Sequence, residues 1–468
     1  MKEKKAKKSR SINPFVLIFG VIVISGLLSF VITPGVIENG VYTALPRNEF
    51  NFNNFYNIFR AIPYGIKDSA TVIVTILVIG GALEIYKRTG AIDNAINGLV
   101  HRFGKKAQLI PLIIIMLVFS VLGGFMGWIE TMVPFMPLVV AVVLALGYDS
   151  LTAVAICIIS LMGGFMAGPT NLLTVGVFNT TLQNIGAMSP DADVLAGLGL
   201  RLILWLVVTG VSMAYICIYA NRVHKDPSKS LVADVDVSDL MIDTSEADKA
   251  KLTGPQIVVL LSIVAALVMS LIGMKVGFNG VVWGLDEFSA IFLVSAIVSG
   301  LVAKLPANEI ADGLIEGAKG AVGGALVVGL ARGVYWILNA GNINATIIHA
   351  AIELLEGTSP LVAAIGIVVI VSFINGLIPS GSGKGALLAP ILAPIGLSLG
   401  LDNQVTVLAY QFGDGITNMF WFSYGTLLIF LSYGKVSLNK WYKFFLPLMA
   451  IFYVIAFIFL FIALKMVG

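Results

Sequence analysis

Charged residues are scarce in this sequence. They make up 12% of its 468 residues, about half the share of a typical soluble domain, whereas hydrophobic residues make up 58%. With a mean hydropathy of +0.96, a soluble fold would expose more apolar surface than its core could hide. This excludes a soluble enzyme, a coiled coil and a disordered chain. The apolar segments are about 20 residues long, which predicts membrane-spanning helices and excludes an outer-membrane β-barrel, whose strands have about 10 residues.

Side chains and motifs that carry redox, metal or nucleotide chemistry are also few. The two cysteines, Cys157 and Cys217, lie in separate apolar runs and are expected to pack as small hydrophobes. Neither an H-E-x-x-H motif nor an ATP-binding loop is present, which argues against an enzyme, an ATP-driven pump and a bound cofactor. The net charge of +3 is spread along the chain at predicted membrane borders, which argues against a nucleic-acid partner.

Long apolar runs indicate where the chain crosses the membrane. Placing the N-terminus in the cytoplasm puts most Lys and Arg residues on the inner side, as the positive-inside rule requires. This tracing predicts a multi-pass protein of a bacterial cytoplasmic (inner) membrane with its C-terminus outside. The basic N-terminal segment has no A-x-A cleavage site and is expected to be retained. The predicted helices lie near residues 13–34, 68–87, 196–220, 255–274, 286–304, 318–339 and 443–466.

Two apolar regions rich in Gly, Pro, Ser, Thr and Asn are not predicted to be single spans. For the tracing to close, each must enter and leave on the same side, which predicts a re-entrant hairpin of two half-length helices followed by a discontinuous helix. The acidic linker between the two halves is expected to be a solvated tether. The predicted organisation begins with a cytoplasmic basic tail (1–12) and a first repeat (13–221), which contains hairpin 107–147 and broken helix 150–183. A cytoplasmic linker (222–254) and a connecting span and loop (255–285) follow. The second repeat (286–468) contains hairpin 359–400 and broken helix 403–433.

The two halves carry matching segments in the same order. Residues 89–96 resemble residues 340–347, and Gly-Tyr-Asp at 147–149 matches Gly-Leu-Asp at 400–402. By the predicted topology, the two copies have opposite orientations in the membrane. Inverted repeats are typical of secondary transporters, because two related halves can exchange conformations and open a site to either side. The predicted fold class is an all-α polytopic membrane protein with two inverted repeats, each with a re-entrant helical hairpin and a discontinuous helix.

Interrupted helices are the predicted binding sites, because backbone groups left unpaired in hydrocarbon must be satisfied by protein, water or ligand. In the first half, Glu130 lies at the hairpin tip, and Thr170 and Asn171 follow Pro169 in the broken helix. Thr170 and Asn171 are predicted to hold a substrate carboxylate, the alternative being that they only cap the next half-helix. Glu130 is predicted to bind a coupling cation or an amine, the alternative being a carboxylate that faces cytoplasmic water.

In the second half, the hairpin tip carries Ser-Gly-Ser-Gly-Lys at 380–384. Its free N–H groups and hydroxyls favour carboxylate binding, and Lys384 adds a charge, the alternative for Lys384 being a side chain that reaches the outer interface. Asp414, between glycines deep in the second broken helix, is predicted to bind a cation or amine rather than to pair with Lys384 or Arg332. For Arg332, a substrate carboxylate and a structural partnership with Asp414 or Glu84 both stay open.

The predicted site residues fall into three groups. The substrate-binding group is Thr170, Asn171, Ser380, Gly381, Ser382, Lys384, Asn418 and Ser423. The cation-coupling group is Glu130, Gly413, Asp414 and Thr417. If Na⁺ is the coupling ion, its predicted ligands are Gly164, Asn171, Asp414 and Asn418.

Three segments resemble motifs of the YfcC/DcuC-like family of bacterial permeases. Residues 168–176 (Gly-Pro-Thr-Asn-Leu-Leu-Thr-Val-Gly) resemble that family's S-P-x-N-P-F-T-V-G, and residues 378–384 (Ile-Pro-Ser-Gly-Ser-Gly-Lys) resemble its I-P-S-G-S-G-Q. Residues 411–418 (Gln-Phe-Gly-Asp-Gly-Ile-Thr-Asn) resemble its Q-F-G-D-G-x-[ST]-N. The resemblance covers nearly the whole chain. It implies an elevator-type carrier, in which a transport domain with both hairpins and both broken helices moves against a scaffold, and it implies a homodimer.

Three positions depart from the family's motifs. Lys384 stands where Gln is common, Glu130-Thr131 where two acids are usual, and Phe-Ser-Tyr-Gly at 422–425 where the family shows P-T-S-G. One acid fewer and one cation more argue against a basic amino acid and for a substrate with surplus carboxylate. The prediction is a secondary active transporter of a small carboxylate-bearing metabolite, an amino acid or a C4-dicarboxylate, coupled to Na⁺ or H⁺ or working by exchange. The alternatives are a basic amino acid antiporter and, less favoured, an anion channel.

Overall fold

The computed structural model describes residues 13–38, 41–103, 109–242, 251–278 and 280–467. Within these ranges, nine helices are long and apolar enough to cross a membrane, and the fold is nearly all helical. The predicted multi-pass membrane protein is therefore confirmed. The first predicted span forms a shorter apolar helix, and the others predicted as single spans are among the nine.

The described elements follow one another with short connections. The helices are α1 Pro14–Leu28, α2 Phe52–Asp68, α3 Ala70–Arg88, α4 Ala91–Phe103, α5 Leu109–Val121, α6 Met136–Ala145, α7 Ser150–Ala167, α8 Val177–Asn184, α9 Leu198–Lys225, α10 Gly254–Lys275, α11 Leu285–Val302, α12 Ala307–Ala340, α13 Asn344–Glu353, α14 Pro360–Leu377, α15 Gly381–Ser398, α16 Asn403–Asn418, α17 Gly425–Tyr433 and α18 Leu438–Val467. One antiparallel sheet, β1 (Gly35–Glu38) with β2 (Val41–Ala44), departs from the predicted all-α class, because this loop carries the Val, Ile, Tyr and Thr residues that favour strands.

Two long antiparallel rods pack backbone against backbone. The first rod is α2 and α3, interrupted at Ser69, and the second is α12. A Cβ at Gly65 would lie 2.3 Å from the carbonyl oxygen of Gly329, and a Cβ at Gly317 would lie 2.2 Å from that of Gly80. Only glycine permits so close an approach of two helices.

The Gly-x-Asp segments that match between the halves close the two hairpins and start the two broken helices. Gly147 and Gly400 adopt positive φ angles of 82° and 79°, which end the preceding helices. Asp149 then accepts a hydrogen bond from the Thr152 backbone N–H at 2.8 Å and caps α7. Asp402 accepts one from the backbone N–H two residues on at 2.7 Å and caps α16. The same local chemistry therefore recurs at equivalent places in the two halves.

The two broken helices, α7–α8 and α16–α17, run antiparallel to each other. Near one end, a Cβ at Gly434 would lie 3.2 Å from the carbonyl oxygen of Ser150. Near the other end, the Asn403 amide donates to the carbonyl of Ala187 at 3.3 Å. Their middles also meet, because α7 and α16 pack together. Antiparallel packing is what oppositely inserted repeats require, whereas the insertion of each half in the membrane stays a prediction.

The first arm of each hairpin is longer than predicted, whereas α6, the second arm of the first hairpin, is half-length. Residues 109–126 and 360–377 each form an apolar helix of 18 residues, about 27 Å long, rather than a half-length helix. The arms turn at Gly127, which has a φ of 73°, and at Ile378–Ser380. Arms of this length bring the tips deep into the protein, where they meet.

The acidic linker is not a free tether over residues 226–242. Val232 is buried, and Lys440 and Lys435 pair with Asp234 and Asp239. These lysines lower the pKa of both aspartates by hydrogen bonding, so the linker carboxylates stay ionised at neutral pH. The linker thus ties the end of the first half to Lys435, between α17 and α18, and to Lys440 in the first turn of α18. The stretch 243–250 lies outside the described residues.

Substituting Gly317 with alanine tests the rod contact. The added methyl would meet the backbone of α3, so Gly317→Ala should lower the free energy of unfolding by about 1–3 kcal/mol. The measurement is thermal unfolding of the purified protein in detergent. Gly323→Ala is the control, because nothing lies within 4 Å of a Cβ at that position of the same helix. Equal unfolding temperatures for the two variants would contradict the backbone contact.

Candidate functional site

A cavity of about 290 Å³ lies where the two hairpin tips, the two broken helices and the two rods come together. It is near the small end of the range for ligand pockets. Five predicted site residues lie in its wall: Glu130, Ser380, Gly381, Ser382 and Asn418. The other residues of the wall are Asp68, Ser69, Val72, Ile129, Phe165, Leu173, Val328, Ala331, Arg332, Pro379, Tyr424, Gly425 and Thr426.

The N-terminus of α15 forms one side of the cavity. Ser380 caps this helix by accepting a hydrogen bond from the Gly383 backbone N–H at 3.2 Å. The unpaired N–H groups of the first turn carry partial positive charge, which favours an anionic group. Gly381 and Ser382, in that turn, line the cavity as predicted. This side of the wall therefore suits a carboxylate.

Arg332 provides the positively charged side chain of the cavity wall. Its guanidinium carbon lies 4.8 Å from the centre of the Tyr335 ring, and its buried Nε has no hydrogen-bond partner. No carboxylate of the described residues forms an ion pair with it. Glu84 is 3.5 Å from Arg88, and Asp414 is bound elsewhere, so the structural partnership considered from the sequence is wrong. A guanidinium that lies in a cavity wall and has no carboxylate partner is suited to a ligand carboxylate.

Two carboxyl groups also reach the cavity. Glu130 begins a 3₁₀ helix, Glu130–Phe135, and accepts a hydrogen bond from the Tyr424 hydroxyl at 2.7 Å. Asp68 ends α2 beside the interruption at Ser69. The wall therefore contains one guanidinium and two carboxyl groups. Together they can bind a molecule that carries both a carboxylate and one or more amines.

Lys384 and Asp414 form an ion pair behind the wall rather than a part of it. Both side chains are fully buried, and Nζ lies 2.6 Å from Oδ1 of Asp414. Nζ also donates to Oδ1 of Asn375. The predicted direct contacts of Lys384 with substrate and of Asp414 with a cation or amine are therefore absent, and so is the extension of Lys384 to the interface. The reason is that two opposite charges this deeply buried stabilise each other far more than either could be stabilised alone.

The oxygen ligands predicted for Na⁺ are bound to other protein groups in this arrangement. Asn418 accepts from the Asn375 amide at 2.8 Å, and Asn171 accepts from the Leu173 backbone N–H at 3.0 Å. The carbonyl of Gly164 accepts from a backbone N–H in its own helix at 2.8 Å. The ammonium of Lys384 already neutralises Asp414 and would repel a second cation. The four predicted ligands thus have protein partners.

Thr170 and Asn171 seal the first break. Thr170 donates to the carbonyl of Phe125 at 2.9 Å, and Asn171 donates to that of Phe165 at 3.4 Å. Neither side chain lines the cavity, and both bond protein groups as the capping alternative expects, so their contact with a substrate carboxylate stays a prediction. The cause is local, because the break exposes backbone groups that these side chains satisfy.

The other predicted residues of the second half are also structural. The hydroxyl of Ser423 donates to the carbonyl of Gly376 at 2.6 Å, and that of Thr417 donates to the carbonyl of Gly413 at 2.5 Å. Gly413, Thr417 and Ser423 do not line the cavity, so their cation or substrate contacts stay predictions. The Thr417 bond is the contact with the carbonyl four residues earlier that helical hydroxyls commonly make.

Most of the wall was not predicted from the sequence, including the polar residues Asp68, Ser69 and Thr426. Asp68 and Ser69 lie at the start of the predicted span 68–87, where α2 ends and α3 begins, and Thr426 lies in the last half-helix. The Asp-Ser pair directly before an apolar run was the available signal for the first two. An aspartate at that border has the sequence appearance of a helix end facing water, so only the tertiary contact with α12 reveals its position.

A protein family described as "C4-dicarboxylate anaerobic carrier" (DcuC) matches residues 13–465 of the chain. The chain belongs to this family. The resemblance stated from the three motifs is therefore confirmed. Membership makes the chain a multi-pass membrane protein of a secondary transporter family.

Two curated relatives come from bacteria. One from Escherichia coli (strain K12), described as "Putative basic amino acid antiporter YfcC", is 31% identical over 401 residues, covering 82% of this chain and 76% of the relative. One from Haemophilus influenzae, described as "Uncharacterized protein", is 28% identical over 431 residues, covering 89% of this chain and 80% of the relative. Each description is of the relative itself and not of this chain.

The structures of two solved transporters align with nearly the whole chain, but their backbones superpose only loosely on it. The Alcanivorax borkumensis YdaH transporter is 15% identical with a TM-score of 0.45, covering 96% of this chain and 97% of its own. Neisseria gonorrhoeae MtrF, described as illuminating a class of antimetabolite efflux pumps, is 18% identical with a TM-score of 0.42, covering 97% of this chain and 95% of its own. At these scores neither likeness supports a conclusion about this chain.

Replacing Asn171 with alanine separates its structural role from substrate binding. The change leaves the Leu173 N–H and the Phe165 carbonyl without their partners, so Asn171→Ala should lower the free energy of unfolding by about 1–3 kcal/mol. Substrate affinity of the remaining folded protein should be unchanged within about twofold, which a ligand titration followed by intrinsic fluorescence would measure. Asn184→Ala, at an exposed position, is the control and should change neither quantity. A large loss of affinity without a loss of stability would restore Asn171 to the binding site.

Proposed function

We propose that this protein is a secondary active transporter of amino acids, and that basic amino acids match its cavity best. The observation that carries the proposal is the unpaired Arg332 guanidinium in a wall that also holds Asp68 and Glu130. The α-carboxylate would bind Arg332 and the N-terminus of α15. The α-ammonium and a side-chain cation would bind the two carboxyl groups.

Charge balance favours an amino acid over a dicarboxylate. A dicarboxylate would bring two negative charges to a wall with one guanidinium and two carboxyl groups, so one of its ends would face like charge. The sequence argument for surplus carboxylate counted Lys384 as a free positive charge. Because Asp414 neutralises Lys384, that argument no longer holds. The description of the Escherichia coli relative supports the same substrate class.

A C4-dicarboxylate is the second candidate substrate. Its support is the description of the family and the serine-lined N-terminus of α15. Alternating access in an elevator fashion, a homodimer and a location in the inner membrane complete the proposal. Their support is the family resemblance and the antiparallel packing of the two broken helices.

Ligand-induced thermal stabilisation tests the substrate class directly. The purified protein is heated with arginine, lysine, ornithine, a neutral amino acid, succinate or fumarate, each at the same concentration and pH. We expect basic amino acids to raise the unfolding temperature most, since a ligand that binds only the folded state stabilises it. Stabilisation by the dicarboxylates alone would overturn the proposed substrate in favour of the second candidate.

Removing the guanidinium of Arg332 should weaken every carboxylate-bearing ligand. Arg332→Gln is expected to lower affinity by about tenfold or more, because a charged, bidentate contact is lost. Calorimetric titration of the ligand identified above measures this. Lys319→Gln, which removes an exposed cation from the same helix, is the control and should bind as the wild type does. Unchanged affinity in Arg332→Gln would sink the assignment.

Neutralising Glu130 should discriminate between substrate classes. Glu130→Gln is expected to weaken a basic amino acid by about tenfold while leaving a dicarboxylate unchanged or bound more tightly, because it removes one negative charge from the wall. The same titrations with both ligand types give the ratio of affinities. Glu356→Gln, at an exposed position after α13, is the control. Equal losses of affinity for both ligand types would mean that Glu130 stabilises the cavity without binding the amine of the ligand.

A further inference from the structure

The fully buried pair of Lys384 and Asp414 is a charge pair that the proposed binding site does not use. Both side chains are completely buried, and the ammonium lies 2.6 Å from the carboxylate. Lys384 belongs to α15, near the end that faces the cavity, and Asp414 belongs to α16. The pair therefore joins the second hairpin to the second broken helix.

The surroundings of the ammonium consist of oxygen donors that suit a small hard cation. Oδ1 of Asp414 and Oδ1 of Asn375 both accept from Nζ. The amide nitrogen of Asn375 donates to Thr417 at 3.0 Å and to Asn418 at 2.8 Å, which fixes the orientation of the amide oxygen toward Lys384. A carboxylate and an oriented amide oxygen are the oxygen ligands that hard cations prefer in proteins.

The pair is mechanically connected to the cavity wall. A Cβ at Gly381 would lie 3.3 Å from Oδ2 of Asp414, so the wall and the carboxylate are in contact. Asn418, which also lines the cavity, donates to the same Oδ2 at 3.4 Å. A cation at this position thus neutralises the carboxylate that supports two residues of the wall.

We infer that the Lys384 ammonium takes the place of a coupling cation. It is a cation tethered to the protein, so the folded protein does not require Na⁺ at this position. Without the ammonium, Asp414 would be an unpaired buried charge, which is strongly unfavourable and which a free Na⁺ would relieve. The inference about cation binding stands on this geometry, and only its consequence for transport rests on the proposed function.

The decisive experiment exposes Asp414 to solution cations. Lys384→Gln removes the ammonium and, being shorter, leaves space beside the carboxylate. Thermal unfolding of this variant is measured in increasing NaCl and in matched choline chloride. We expect Na⁺ to raise its unfolding temperature by on the order of 2 °C or more, and choline to have no such effect. The wild type should respond equally to the two salts.

The double variant Lys384→Gln with Asp414→Asn is the matched control, since it removes both charges and should lose the Na⁺ response. No difference between NaCl and choline chloride for Lys384→Gln would overturn the inference. A Na⁺ response of the wild type that the double variant abolishes would overturn it as well, because the position would then bind Na⁺ beside Lys384. Should Lys384→Gln fold only when Na⁺ is present during purification, that requirement is itself the expected result.

Transport measurements separate this inference from the proposed function. In proteoliposomes, uptake of the basic amino acid by the wild type should be equal in Na⁺ and in choline, whereas residual uptake by Lys384→Gln should depend on Na⁺. If no amino acid is transported but Na⁺ still stabilises Lys384→Gln, the proposed substrate is contradicted and the inference about Lys384 is supported. If the amino acid is transported and the wild type requires Na⁺ at Asp414, the inference about Lys384 is contradicted and the proposed substrate is supported.

Discussion

Every backbone break in a membrane protein must find hydrogen-bond partners in protein, water or ligand rather than lipid, and this constraint organises the centre of the fold. The first break, at residues 168–171, is closed by side chains of the protein: Thr170, Asn171 and Arg201, whose Nε donates to the carbonyl of Pro169 at 3.3 Å. The second hairpin tip leaves part of its helix N-terminus open to the cavity. The two halves share an order of elements but differ in what satisfies their exposed backbone, so the binding surface is asymmetric.

Much of the architecture was predictable because it depends on local chemistry. Apolar length predicted the spans, and the Gly-x-Asp segments, which the sequence showed only as a match between the halves, lie where hairpins end and broken helices begin. The helix α2 was not predicted, because its Asn, Arg, Pro and Lys residues resemble a loop when tertiary packing is ignored. Its partner surface on α12 is what stabilises it. The half-length prediction was also wrong for the first arm of each hairpin, because the lengths of buried helices follow their contacts rather than the bilayer alone.

The candidate site was predictable in location but less so in roles. Glu130, Ser380, Gly381, Ser382 and Asn418 line the cavity because breaks and intramembrane charges mark it in the sequence. Which charges pair with each other is a matter of three-dimensional distance. Asp414 and Lys384 stand 30 positions apart, and nothing in that spacing distinguishes a pair from two separate ligands. Arg332 became informative only when its expected partners proved to be bound elsewhere.

The glycine contacts between the two rods have a mechanical consequence. Interlocking side chains would hold two helices in one register, but at Gly65 and Gly317 there are none to interlock. The polar fastenings are near the ends instead: Arg88 binds the carbonyl of Glu309 at 2.8 Å at one end, and Asn48 binds that of Gly341 at 2.8 Å at the other. The joint therefore combines close backbone approach, with Leu314 packed at Gly81 and Ile66 at Gly329, with polar bonds near its ends, and substitutions at those ends would change its resistance to shear.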